Sequence, residues 1–232
     1  MRFDGTDIRK FGAVQLKVEE QPPQLAANYE ILPGALLPTE YETTPPLGSL
    51  KITIYFRDVS RAALQRTMSA FMAQLRRSCV IDEIKGFKGK YKAFLTDDSY
   101  QATKVLNKKI LELSFDGYFF DDEKEVTFSA VAAGTLHADG SRETPCIVEV
   151  TALSGLTNYT FTLNDEEYKI AQLAAGKTII IDGKSGKATL DGVNAFGVVD
   201  MWNFPSLQPG ANALTFGSTN AAVKIRFIPM WM

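Results

Sequence analysis

Apolar and polar residues alternate with a period of two along most of this chain, and only one stretch follows a helical period. Phe11 to Val18 alternates as a half-buried strand does, and the pattern returns in Leu50 to Phe56, Tyr91 to Leu95, Lys109 to Phe119 and Val126 to Val131. Between them, Leu64, Met68, Phe71, Met72 and Leu75 fall on one helical stripe, which predicts an amphipathic helix packed on a sheet face. Asp58 or Ser60 is placed to cap its start, and Arg76-Arg77 to complement the dipole at its end. Beyond residue 135 the helical period disappears. Short strands are expected at Ile147 to Val150, Tyr159 to Leu163, Thr178 to Ile181, Ala188 to Leu190, Ala213 to Phe216 and Val223 to Phe227. Turn signals at Asn164-Asp165, Asp182-Gly183, Asp191-Gly192 and Pro209-Gly210 separate them, the spacing of an antiparallel β-sandwich.

Proline divides the first half. Six of the ten prolines lie between residues 21 and 48, around segments such as Tyr29-Glu30-Ile31-Leu32. Proline removes ladder donors, so this region is expected to be an extended arm or edge hairpin rather than a central strand. An exposed arm needs a surface to lie on, and Tyr29, Ile31, Leu32, Pro33, Leu36 and Tyr41 are its candidate contact residues. The small-residue stretch Ala132-Ala133-Gly134-Thr135 is the expected domain boundary, giving an N-terminal domain over 1–133 and a C-terminal sandwich over 134–232. The fold class is mainly β, with one α-helix and an arm in the first domain.

Charge and composition exclude several functions. The net charge is -2, with 18 basic and 18 acidic residues up to position 133 and 7 basic and 9 acidic after it. Neither part has the basic field of a nucleic-acid-binding domain, and no sequence-specific nucleic-acid binding is expected. Cys79 and Cys146 lie far apart without metal-ligand spacing and read as reduced and buried. Met1 to Gly5 carries no signal-peptide pattern, and no apolar run reaches the ~18 residues a membrane span needs, so a cytoplasmic chain without a membrane partner is expected.

Catalytic chemistry is sparse. His137 is the only histidine and reads as an exposed loop residue beside Asp139-Gly140. Gly176-Lys177-Thr178 and Gly183-Lys184-Ser185 mimic phosphate loops, but Ala171 and Thr178 stand where the upstream glycine is required, so both read as hairpin turns. Asp97-Asp98, Asp121-Asp122-Glu123 and Asp165-Glu166-Glu167 lack calcium-ligand spacing and read as solvated turns. No catalytic residue, cofactor or metal site is expected. The run Lys85, Lys88, Lys90 and Lys92, interleaved with Phe87 and Tyr91, is a candidate patch for a DNA conduit or an acidic partner, against the plainer reading of a solvated hairpin.

The order of these pieces resembles the distal tail proteins of siphophages. Phe11-Gly12 at the opening strand, the Pro33-Gly34 arm, one helix and the aromatic strand from Leu113 to Phe119 are similar to that family's N-terminal domain. The second half is similar to it through Thr144-Pro145-Cys146-Ile147-Val148-Glu149-Val150, Ile179-Ile180-Ile181-Asp182, the turn from Phe204 to Asn212 (F-P-S-L-Q-P-G-A-N) and the closing Phe227-Ile228-Pro229-Met230-Trp231. The resemblance implies a tail-tube-like β-sandwich N-terminal domain and a galectin-like C-terminal sandwich. It implies a non-enzymatic virion protein of the tail tip, assembled in the host cytoplasm. Six copies would form a ring, single or stacked, around the DNA channel. That ring would join the tail tube protein to a tail-associated fibre or hub protein, with receptor-binding proteins or side fibres at its periphery. The alternative is a carbohydrate-binding module aiding host attachment. Galectins read sugars with a polar set around a stacking Trp, whereas the sequence around Trp202 announces no comparable set.

Overall fold

The computed structural model describes the chain apart from residues 24–27, 32, 34, 35, 38, 42–46, 76, 77, 102 and 232 and the side chains of 28, 29 and 39–41. It forms two compact units, Met1–Phe120 and Asp121–Trp231.

In the first unit, β1 (Arg2–Phe3) and β2 (Thr6–Asp7) lead through a 3-10 turn, Ile8–Phe11, into β3 (Ala13–Gln21). The Phe11-Gly12 pair is the hinge of this entry. Gly12 sits at φ 60°, and a Cβ there would lie 3.0 Å from the Arg57 carbonyl oxygen, so glycine is required twice over. Next come β4 (Asn28–Glu30), β5 (Thr39–Tyr41), β6 (Gly48–Arg57), α1 (Arg61–Gln74), β7 (Ser78–Asp82), β8 (Lys90–Gln101) and β9 (Lys108–Phe120). The main sheet has the order β2-β1-β7-β8-β9-β6-β3, and every neighbouring pair within it is antiparallel.

Alternation assigns its two faces. Leu50, Ile52 and Ile54 on β6 stand opposite Phe115, Leu113 and Leu111 on β9, and all six are buried. The helix covers this face with Leu64, Met68 and Phe71. Phe71 is the centre of the contact, with Phe3, Phe11 and Phe56 around its ring at centroid distances of 5.2 to 5.6 Å. Ser60 caps the helix by accepting from the Ala63 N–H at 3.2 Å, while the Asp58 carboxylate takes the Thr67 hydroxyl one turn further on. Arg76 and Arg77, expected at the helix end, lie outside the described residues. The opposite sheet face carries Ser49, Lys51 and Thr53 against Asp116, Ser114 and Glu112.

The second unit contains β10 (Lys124–Ser129), β11 (Ala133–Ala138), β12 (Thr144–Ala152), β13 (Leu156–Leu163), β14 (Glu166–Leu173), β15 (Thr178–Asp182), β16 (Lys187–Leu190) and β17 (Val193–Asn194). After the 3-10 turn Phe196–Val198 come β18 (Val199–Met201), β19 (Ser206–Leu207), β20 (Gly210–Phe216) and β21 (Ala221–Phe227). One sheet has the order β10-β21-β12-β15-β16-β17 and the other β11-β20-β13-β14-β18, all antiparallel. Val148, Val150, Ile179, Ile181, Val223 and Ile225 from the first meet Tyr159, Phe161, Tyr168, Ile170 and Leu214 from the second in a single core. The chain is mainly β and the strand pairs of these sheets are antiparallel, as the alternation predicts.

Several local readings change. The units divide at 120/121, ahead of the small-residue stretch at 132–135, because Lys124–Ser129 pairs residue for residue with β21. Ala133–Ala138 is itself a strand, so His137 is an exposed strand residue rather than a loop one. Gly183-Lys184-Ser185 is a hairpin turn between β15 and β16, but Gly176-Lys177 is a corner that carries the chain from one sheet to the other. Among the described residues, no helix is long and apolar enough to cross a membrane.

Because Phe71 fills the junction of three other rings, Phe71→Ala should cost about 3–5 kcal/mol. Hydrogen exchange of the β6 and β9 amides should accelerate accordingly, and unchanged protection there would show that the helix is not what seals this core.

Candidate functional site

The expected contact residues fall in two places. The arm is a hairpin: Asn28 pairs with Tyr41, Tyr29 with Glu40 and Glu30 with Thr39, in a two-stranded sheet separate from the main one. Tyr29 and Tyr41 thus lie on facing strands, and Ile31, Pro33 and Leu36 lie in the connection between them. Leu32 lies outside the described residues. Ile31 is 62% exposed and Leu36 fully so, with Leu37 beside it at 78%. Apolar side chains presented together in this way are the usual mark of a surface that another chain covers.

The basic run is split between a turn and a strand. Lys85 and Lys88 are exposed in the β7–β8 connection, while Lys90 and Lys92 begin β8 on one side of the sheet. The Lys85 N–H donates to Gln15 Oε1 at 3.1 Å, and Gln15 Nε2 donates back to the Lys85 carbonyl at 3.3 Å, which ties the turn to β3. Lys92 Nζ stands 5.7 Å over the Phe94 ring. The interleaved aromatics point elsewhere: Phe87 stacks on Phe119 at 5.6 Å, and Tyr91 meets the same ring at 4.8 Å. They support the turn from within and offer no platform for a nucleic-acid base.

A third place, not singled out by the sequence, is a groove of about 540 Å³ in the C-terminal unit. Its construction begins with β13 and β14, joined by Asn164-Asp165 with φ of 48° and 68°. Positive φ at both residues makes the tight turn that matches strand twist, and Asn and Asp tolerate it. The hairpin carries Glu166 and Tyr168 to one wall. The other wall is the loop from Asn203 to Gln208, pinned by backbone contacts. The Cys146 N–H donates to the Pro205 carbonyl at 3.1 Å, and the Gly183 N–H donates to the Cys146 carbonyl at 2.9 Å. A Cβ at Gly183 would stand 2.1 Å from the Pro205 oxygen, so only glycine lets the loop approach.

Asn212 holds the far end of this loop. It is wholly buried, yet its carboxamide is saturated: Oδ1 accepts from the Gln208 N–H at 2.8 Å and from Asn164 Nδ2 at 2.5 Å. Its Nδ2 donates to the carbonyls of Gln208 at 2.8 Å, Gly210 at 3.0 Å and Leu136 at 3.4 Å. The P-G-x-N turn is therefore a knot that joins the loop to β11 and to the β13–β14 hairpin. The sequence showed the turn, but not that its last residue turns inward.

Four polar side chains face the groove with capacity to spare. Glu166 accepts from Asn203 Nδ2 at 2.9 Å and Glu143 accepts from the Ser206 hydroxyl, in each case through Oε1, leaving the second oxygen. The Asn203 carbonyl oxygen and the Gln208 carboxamide make no side-chain hydrogen bond among the described residues. Tyr168 is almost fully buried and lines the groove, whereas the buried tyrosine hydroxyl without a partner is that of Tyr159. Burial, with Cys146 and Glu166 nearby, raises the Tyr168 pKa and keeps that phenol protonated. Glu143 ahead of β12, Glu166 and Tyr168 of β14, and the Asn203–Gln208 loop thus bring a polar set together in this groove. Trp202 itself, one residue before Asn203, is 91% exposed. Among the described residues no group of three or more His, Cys, Asp or Glu could hold a metal.

Comparison with known proteins places this architecture. Residues 139–231 match the family described as siphovirus-type tail component, C-terminal domain. The fold of the whole chain is similar to that of SPP1 Dit (gp 19.1), whose structure is described as a paradigm of the hub adsorption apparatus in phages infecting Gram-positive hosts. The TM-score is 0.78 and the identity 12%, over 99% of this chain and 98% of that one. A chain of the phage P2 baseplate in its activated conformation with calcium matches at TM-score 0.49 and 10% identity, over 96% and 92% of the two chains. No curated protein matches the sequence.

If Asn212 is the knot of this unit, Asn212→Ala should destabilise it by about 3 kcal/mol, since several buried groups lose their partner at once. Both tryptophans, Trp202 and Trp231, lie in this unit. Urea unfolding followed by their fluorescence reads the loss, and an unmoved midpoint would remove Asn212 from this role. Residues 139–231 thus match the C-terminal domain of the siphovirus-type tail components, and the fold of the chain is similar to that of SPP1 Dit over 99% of its length.

Proposed function

We propose that this protein is the hub ring of a phage tail tip: six copies around a DNA channel, joining the tail tube above to a tail-associated fibre or hub protein below. The family match over the C-terminal unit supports a tail component, and the likeness to the SPP1 hub protein supports that position in the particle. The observation that carries the ring is the arm. Its exposed Ile31, Leu36 and Leu37 gain nothing in water and are suited to the surface of a neighbour. A ring of identical subunits needs two different faces per copy, and an arm reaching forward from one body supplies both with little extra chain.

The uncovered face of the N-terminal sheet is suited to a passage for DNA. It pairs Lys17 with Glu19 at 2.5 Å and Lys51 with Glu112 at 2.7 Å, so these two cations are matched in place by anions. A lining with unmatched lysines would hold phosphates and impede movement. Lys85, Lys88, Lys90 and Lys92 serve at the rim of that passage or against an acidic partner. The protein works without catalysis, by geometry, with receptor-binding proteins or side fibres attached at the ring's periphery.

Light scattering of the purified protein should give a hexamer or a multiple of one, and negative-stain images a hollow six-fold ring. Replacing Ile31 and Leu36 together by Asp should raise the concentration needed for assembly at least about tenfold, each lost apolar contact being worth roughly 1–2 kcal/mol. A protein that stays single at high concentration, alone and with tail tube protein present, would end the proposal.

A further inference from the structure

We propose that the groove between the β13–β14 hairpin and the Asn203–Gln208 loop binds a saccharide that is neutral or carries an amino sugar, with Trp202 as the stacking platform at its rim. No tail function assigned above uses this site.

The chemistry of the groove selects the ligand. Among the described residues its charged lining residues are Glu143 and Glu166, and no Lys or Arg lines it. Two carboxylates without a cation repel phosphate, uronate and nucleic acid, but accept hydrogen bonds from hydroxyl or ammonium groups. Each carboxylate is held in place by a neighbour, Asn203 for Glu166 and Ser206 for Glu143, and keeps one oxygen to offer. Asn203 and Gln208 add a carbonyl acceptor and a carboxamide able to do both. A ligand bearing several hydroxyl groups close together matches this mixture; an apolar one does not.

Tyr168 is a second and independent sign. Its ring is buried while the residue lines the groove, and its hydroxyl is not one of the sealed, unpartnered ones, a place that the Tyr159 hydroxyl holds. A phenol reached from the groove can donate to or accept from a ligand hydroxyl. Trp202 is the third. An indole 91% exposed is unusual for so large an apolar ring, and one residue before the groove-lining Asn203 it supplies a flat surface of the kind on which the C–H face of a pyranose rests. Phe204 lines the groove and is braced edge-on by Phe196 at 5.8 Å, so the aromatic rim is supported from behind. A groove of about 540 Å³ is within the usual range for small-ligand sites.

The test is a glycan array carrying neutral, amino-sugar, uronic-acid and phosphorylated oligosaccharides, probed with the full chain and followed by titration of the best binders. Neutral or amino-sugar glycans should be retained, and uronates and phosphorylated glycans should not. Trp202→Ala should weaken binding about tenfold or more, and Tyr168→Phe and Glu166→Gln several-fold each. Trp202 is exposed, so its variant should fold; the fluorescence of Trp231 then reports unfolding, and light scattering reports the assembled mass separately from glycan binding. The proposal is overturned if no neutral or amino-sugar glycan binds at millimolar concentration. It is equally overturned if binding survives Trp202→Ala and Glu166→Gln undiminished, or if an oligolysine peptide occupies the groove in preference to every glycan, which would assign it to a basic protein segment.

Discussion

One helix serves a sheet that has two faces. In the N-terminal unit α1 seals the face lined by Leu50, Ile52, Ile54, Leu111, Leu113 and Phe115, and everything else in that unit follows from the face it cannot reach. A sheet face left to water must be polar, and alternation delivers this with Lys51 and Thr53 between the buried positions of β6, and Glu112, Ser114 and Asp116 between those of β9. A one-residue slip of either strand would exchange the two sets. Register is therefore fixed by burial, and the charge pattern of the open face is fixed with it.

Much of this could be read from the residues in order. Period-two alternation located β3, β6, β8 and β9, and the stripe from Leu64 to Phe71 located the helix, because each of these signals is contained within its own segment. What escaped was decided between distant segments. Lys124–Ser129 belongs with the second unit because its partner is Ala221–Phe227. No local feature of residues 124–129 carries that information, whereas the run of small residues after them looked like a linker. The strand Glu166–Leu173 was hidden for another reason. Its acidic start reads as a solvated turn unless Asn164-Asp165 is taken as a complete two-residue hairpin connection.

The C-terminal groove shows the same limit at a finer scale. Each polar residue in it looks ordinary in sequence, and Glu143, Glu166 and Gln208 belong to three separate segments. Their meeting depends on two residues that do not contact a ligand: Gly183, whose missing side chain admits the Pro205 carbonyl, and Asn212, whose carboxamide replaces a turn's worth of backbone bonds. The motif from Phe204 to Asn212 is thus structural at its end and available at its beginning.

The two cysteines sit one in each unit, both free and buried. Burial pushes the Cys79 thiol up to about 11, and the Cys146 thiol to about 12. Only a thiolate attacks a disulfide or an oxidant at an appreciable rate, and at neutral pH neither sulfur is one. An oxidant in solution therefore meets no ready thiolate at either position of the folded chain.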